Sequence, residues 1–229
     1  MRRTPTIFLP LVTACAAVAL APVPAAVGQM TPFYVRTDLG GQVTQDTRLL
    51  GFFGDPLAPG STVKFDPGFR LGFAGGIRAT EWFAGEIESG VMVNRISSIS
   101  GASRVDDAFY SNVPLLLNAR FEAPGSRSIV SPFLGGGLGM SVSTISVDRI
   151  DLGGTSFEGT MSAAVFAYQA FAGLRFRIND QMGLTVEYHY FANTDSSWEA
   201  DVTSGTSSSK MKLAGTQTHA ASIAFEFRF

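Results

Sequence analysis

The chain alternates apolar and polar positions with a period of two, in eight separate runs. From Phe33, the residues Phe33, Val35, Thr37, Leu39, Gly41 and Val43 fall on one face, with Tyr34, Arg36, Asp38, Gly40 and Gln42 on the other. The second run sets Phe69, Leu71, Phe73, Gly75 and Ile77 against Arg70, Gly72, Ala74, Gly76 and Arg78; the third sets Phe83, Ile87, Val91 and Val93 against Ala84, Glu86, Glu88, Gly90, Met92 and Asn94. Val113 to Phe121, PFLGGGLGMSV, Phe166 to Arg177 and Leu184 to Phe191 repeat the pattern, and Gln217 to Phe229 ends it with Ile223, Phe225, Phe227 and Phe229 opposite Glu226 and Arg228. Side chains of a strand point to alternate faces, so each run predicts a strand with two chemically different sides. In the fifth run Gly135, Gly137 and Gly139 share one face, which predicts a crowded interior there.

The connections alternate in length. Residues 46–62, 96–108, 144–161 and 192–216 read as long polar loops, whereas 79–81, 123–126 and Asn179-Asp180 read as short turns. Such an order places all long loops at one end of an up-and-down antiparallel sheet, the asymmetry of outer-membrane barrels. The fold class expected is all-β: an eight-stranded antiparallel up-and-down transmembrane β-barrel. Nearly all strand charges lie on one face: Arg36, Asp38, Arg70, Arg78, Glu86, Glu88, Arg120, Arg175, Arg177, Glu187, Glu226 and Arg228. An arginine turned to lipid at mid-membrane costs roughly 2–4 kcal/mol, so a dozen such charges outside would exceed the ~5–15 kcal/mol that holds a typical protein together. They are expected inside, pairing as a salt-bridged plug, because eight strands leave room only for side chains. The same alternation with its faces exchanged would suit a soluble lipocalin-like barrel or sandwich; strands longer than the usual five or six residues argue against it.

The N-terminus adds a destination. MRRT precedes an uncharged apolar stretch broken by Pro10, Pro22 and Pro24, which reads as a secretory signal peptide over residues 1–28, with Ala26-Val27-Gly28 ahead of a cut before Gln29 and the barrel domain over 29–229. The alternatives are an N-terminal membrane helix and a lipoprotein processing box at Val12-Thr13-Ala14-Cys15, which would lipidate Cys15. Cys15 is the single cysteine, so no disulfide or thiolate metal site is expected in the mature chain. Charged residues make up 16% of the chain and the formal net charge is -2, with 17 Lys and Arg scattered along it, which sets nucleic-acid binding aside.

The segments NVPLLLNARFE, PFLGGGLGMS, FAGLRFRIND, GLTVEYHYF and AFEFRF resemble the successive strands of the small OmpA-like and opacity-type outer-membrane β-barrel proteins. The resemblance implies a barrel of a Gram-negative outer membrane. It also implies that the C-terminal aromatic strand, with Phe225, Phe227 and Phe229, is the signal read by the barrel-assembly machinery. Expected partners are outer-membrane lipid and lipopolysaccharide, that machinery, and host or envelope proteins at the external loops. No catalytic residue, cofactor or metal is expected. His189 falls beside Glu187 on the polar face and His219 on the other, which does not assemble one site, and Gly135-Gly136-Gly137 lacks the lysine of a phosphate loop. A structural or surface-interaction role comes first. A narrow channel for ions or small apolar solutes is the alternative, and a lipid-modifying enzyme the third reading.

Overall fold

The computed structural model describes residues 33–53, 57–123, 129–152, 155–199 and 210–229. The expected signal peptide and its cleavage site, and Cys15, lie outside the described residues.

The eight runs form β1 (Phe33–Thr44), β4 (Gly68–Arg78), β5 (Phe83–Ile99), β7 (Phe109–Glu122), β8 (Val130–Leu152), β9 (Thr155–Arg177), β10 (Met182–Asn193) and β13 (Gln217–Arg228). Each pairs antiparallel with its neighbours in that order. β13 then returns to β1, with Arg36 opposite Glu226 and Leu39 opposite Ile223, so the ring is closed and no edge is left open. At one end the turns are tight. Ala79 N donates to Phe83 O at 3.0 Å and Ile178 N to Met182 O at 3.0 Å, while Asn179 Oδ1 accepts from the amides of Gln181 and Met182.

The other end differs from the sequence expectation. The segments read as polar loops hold β2 (Thr47–Phe52), β6 (Ala102–Asp106), β11 (Ser196–Glu199) and β12 (Lys210–Leu213), β3 (Thr62–Phe65) begins where the first of them ends, and β8 and β9 run on as strands of 23 residues each. β11, β12, β2 and β3 pair in sequence onto the upper end of β5, and β6 pairs onto the upper end of β8. Together they make a collar that prolongs the barrel wall. Gly101, at φ +82, closes the turn from β5 to β6 in a conformation that suits glycine.

The collar exists because the two faces exchange chemistry along β5 and β8. Lower on β8 the outward residues are Leu134, Leu138, Met140 and Val142; from Thr144 they become polar, while the inward row turns from Ser141 and Ser143 to Ile145, Val147 and Ile150. On β5, outward Val91 and Val93 give way to Arg95 and Ser97, and inward Glu86 and Glu88 give way to Ile96 and Ile99. Below the switch the wall suits lipid outside and charge inside; above it the wall is built like a soluble protein. The collar therefore has its own apolar core, centred on Phe52, Tyr110, Ile150, Trp198, Met211 and Leu213.

Candidate functional site

The lumen is filled in layers. In the lowest, six carboxylates, Asp38, Glu86, Glu88, Glu122, Glu187 and Glu226, meet six arginines, Arg36, Arg70, Arg78, Arg120, Arg175 and Arg228. Arg36 stands at the centre, reaching Glu86 at 3.2 Å and Glu88 at 3.6 Å on β5 to one side and Glu187 on β10 to the other. Arg70 binds Asp38 at 2.8 Å and also Glu88; Arg120 binds Glu226 at 3.0 Å and Glu86 at 3.4 Å, and its guanidinium lies 3.9 Å from the centre of the Phe133 ring. Neutral donors take up remaining carboxylate oxygens. Tyr34 donates to Glu86 at 2.6 Å, and Asn118 and Gln169 donate to Glu88 at 2.6 and 2.7 Å. Burying a charge is tolerable only where it is paired; every charge of this layer has an opposite partner and the six of each sign cancel, while Nε of Arg36 and Nε and Nη2 of Arg120 are left without a hydrogen-bond partner.

Above the charges Met92, Leu116, Ala167 and Phe191 form an apolar layer. Over it lies a neutral polar layer in which Asn193 donates to Asn112 at 3.0 Å and to Ser143 at 3.1 Å, and Asn94 accepts from Gln42 at 2.6 Å and Thr44 at 2.9 Å. The collar core closes the top. Trp198, fully buried, donates from Nε1 to Ser143 O at 2.9 Å and so ties the collar to the barrel wall.

The glycine face of β8 makes room for this filling. A side chain at Gly135 would collide with Phe171, and one at Gly137 with Asn118. On the outer wall, Ala119 and Gly136 instead leave a shallow groove between Leu117, Leu138, Phe166 and Tyr168.

The expected charge network divides as follows. Arg36, Asp38, Arg70, Glu86, Glu88, Arg120, Arg175, Glu187 and Glu226 are buried in the lumen, and Arg78 and Arg228 sit partly exposed at its lower mouth. Arg177 is at the rim, 4.0 Å from Asp180 in the turn. Glu226 pairs with both Arg120 and Arg228; Arg36 and Asp38, although on the neighbouring strand β1, turn to other partners. Glu122, which binds Arg78 at 2.9 Å and also Arg175, is absent from the sequence-derived set although strand parity from Arg120 points to it. His189 is buried 3.0 Å from Glu187, whereas His219 is on the outer wall, with Tyr188 at 2.6 Å and Gln45 at 2.9 Å. Phe225 and Phe229 are exposed on the outer wall, Phe227 is partly so, and the amide of Phe229 donates to Phe33 O at 3.2 Å. Among the acids at the collar end, Asp106 at the end of β6 binds Arg104, Asp107 binds Arg95, and Asp195 accepts from the amide of Gly215.

The model of the outer membrane protein beta-barrel domain family matches residues 13–229. The chain belongs to this family. Members of the outer membrane protein beta-barrel family are integral to the bacterial outer membrane, which identifies the apolar band of the outer wall as the surface that meets lipid. No curated protein matches the chain in sequence. Among solved structures it is similar to OprG from Pseudomonas aeruginosa, at 13% identity and TM-score 0.57, with 88% of this chain and 99% of that one covered. It is also similar to AlkL, at 15% identity and TM-score 0.54 over 92% of this chain and 97% of that one. Neisserial surface protein A aligns at 14% identity and TM-score 0.51 over 88% of this chain and 100% of that one. At these identities the likeness is one of fold.

Proposed function

We propose that this outer-membrane barrel does not conduct, and that it acts through the collar it holds above the membrane, as a structural or surface-interaction protein. One observation carries the reading: the lumen is closed three times over, by a charge-balanced layer, an apolar layer and a packed collar core. An ion crossing it would have to break pairs whose rupture costs about 3–5 kcal/mol each and then shed its water beside Met92, Leu116 and Phe191. An acyl-transfer or hydrolytic role is not supported by the histidines, since His189 is enclosed with Glu187 and His219 is engaged by Tyr188 and Gln45. Reconstitution of the full chain in planar bilayers tests the proposal. Silent membranes are expected; stable single-channel steps would show that a continuous path opens and would refute it.

A further inference from the structure

We propose that the outer face of the sheet formed by β12, β2 and β3 is a docking surface for phosphate groups carried by the glycolipid of the outer leaflet, lipopolysaccharide. This deepens the surface-interaction reading above and rests on it.

The observation is an imbalance in pairing. Every lysine and arginine among the described residues forms an ion pair with a carboxylate, except Arg48, Lys64 and Lys212. These three occupy three adjacent strands. All are exposed, and each alternates with inward neighbours of the collar core: Arg48 with Leu49, Lys64 with Val63 and Phe65, Lys212 with Met211 and Leu213. Parity therefore sets all three cations on one outward face. Arg48 is opposite Thr62, which puts Lys64 diagonal to it, about 7–8 Å away. Lys212 is opposite Gly51, on the other side of β2, where the absent side chain leaves the lysine stem uncovered. Asp46 and Asp66, at the foot of the sheet, form no ion pair with them, and Lys210, the one further cation on these strands, is taken by Glu199 at 2.6 Å.

Height selects the occupant. Arg48 follows the lipid-facing Val43 on the same stretch of chain, and Lys64 precedes the lipid-facing Phe69. At roughly 3.3 Å per residue and a strand tilt of about 40°, both stand on the order of 10–15 Å above those side chains, the level of headgroups rather than of distal sugars. A lysine offers a phosphate a compact charge and an arginine a fork of donors, and anionic headgroups in the plane of a membrane present several such groups at once. The exposed Leu50 within the patch and the hydroxyl pair of Thr62 and Ser100, 3.1 Å apart, suit an amphiphile with sugar hydroxyls beside its phosphates. On the far side of the collar the cations are committed, Arg104 to Asp106 and Arg149 to Asp151 and Glu158. Among the described residues of the collar, the cationic charge open to a ligand is thus confined to one side.

The test uses the full chain in neutral detergent, titrated with bis-phosphorylated lipid A and with the same lipid after removal of its phosphates. The native protein is expected to prefer the phosphorylated form. The variants R48Q, K64Q and K212Q are expected to weaken that binding by about fivefold each, and the triple variant by roughly a hundredfold. K210Q, which removes a charge already paired, is expected to leave binding within about twofold of native. Heat-modifiable gel migration verifies that each barrel is folded, and R48K, which keeps the charge, covers the case of a misfolded triple variant. The proposal is overturned if the triple variant binds phosphorylated lipid A as tightly as the native chain or if dephosphorylated lipid binds equally well. A soluble sulfated polysaccharide that displaces the lipid at equal charge concentration would likewise overturn it, assigning the patch to polysaccharide. A barrel that conducts yet still selects the phosphorylated lipid refutes only the sealed-lumen reading, and a silent barrel indifferent to phosphorylation refutes only this one.

Discussion

Arg36 shows how far single residues specify the lumen. Its guanidinium is completely buried, and its partners Glu86 and Glu187 are separated from it by 50 and 151 positions in the chain. Replacing Arg36 by leucine would leave Glu86, Glu88 and Glu187 without their shared cation, and breaking a buried pair from one side costs about 3–5 kcal/mol. Chemical unfolding in lipid vesicles should show a loss of that size for Arg36→Leu. Arg228→Gln, at the partly open lower mouth, should lose about 1 kcal/mol or less. That Arg36 faces the lumen is legible in the sequence, because period-two parity and the cost of charge in lipid both require it. Which carboxylates it meets is not, since they come from opposite walls and no local pattern encodes how far across a closed ring a side chain reaches. Glu122 is a different case: parity from Arg120 contains it, and only its place at the end of a strand, beside a turn, hides it.

At the scale of elements, all eight barrel strands and the tight turns at 79–81 and Asn179-Asp180 are readable in the sequence, whereas the five collar strands are not; the turn expected at 123–126 lies largely outside the described residues. Ile145, Val147 and Ile150 lie among Ser, Thr and Asp, and the same is true of Trp198 and Met211, so the segments have the composition of loops. Their apolar residues are in fact spaced for a strand, but on the face that lower down carries the polar residues. A reading that follows one face along the chain loses the signal where the faces exchange. The last strand, β13, has a particular burden because it alone closes the ring against β1. A charge at its end, as in Phe229→Asp, would be set on the outer wall next to Phe227, whose ring lies 5.2 Å from that of Phe229. This variant should accumulate less heat-modifiable barrel in outer-membrane fractions than the native chain; equal accumulation would count against a role for the terminal aromatic residues in assembly.

The whole molecule is two chemically opposite structures on one continuous set of strands. Lipid supports the lower one from outside and ion pairs fill it; the upper one folds around an apolar core in water. Their stabilities should separate. Trp198→Ala removes the largest fully buried side chain of the collar, a change of a kind that costs about 3–5 kcal/mol in a packed core. Hydrogen exchange should show faster opening of β2, β3, β11 and β12 with β1, β10 and β13 still protected, and the heat-modifiable shift of the barrel retained. Uniform loss of protection would mean that collar and barrel unfold as one.

The exchange of faces also fixes a depth. The run from Phe33 to Val43, at roughly 3.3 Å per residue and a tilt of about 40°, rises about 25 Å, the height of the apolar band of such barrels. Sinking by a single pleat would draw Arg95 and Ser97 into hydrocarbon, and rising by one would lift Val93 and Val142 into water. Both displacements are opposed on β5 and β8, which cross the boundary, so the protein floats at one draught. Whatever meets the collar rim meets it at a constant stand-off from the bilayer, with the unpaired cations always at the waterline.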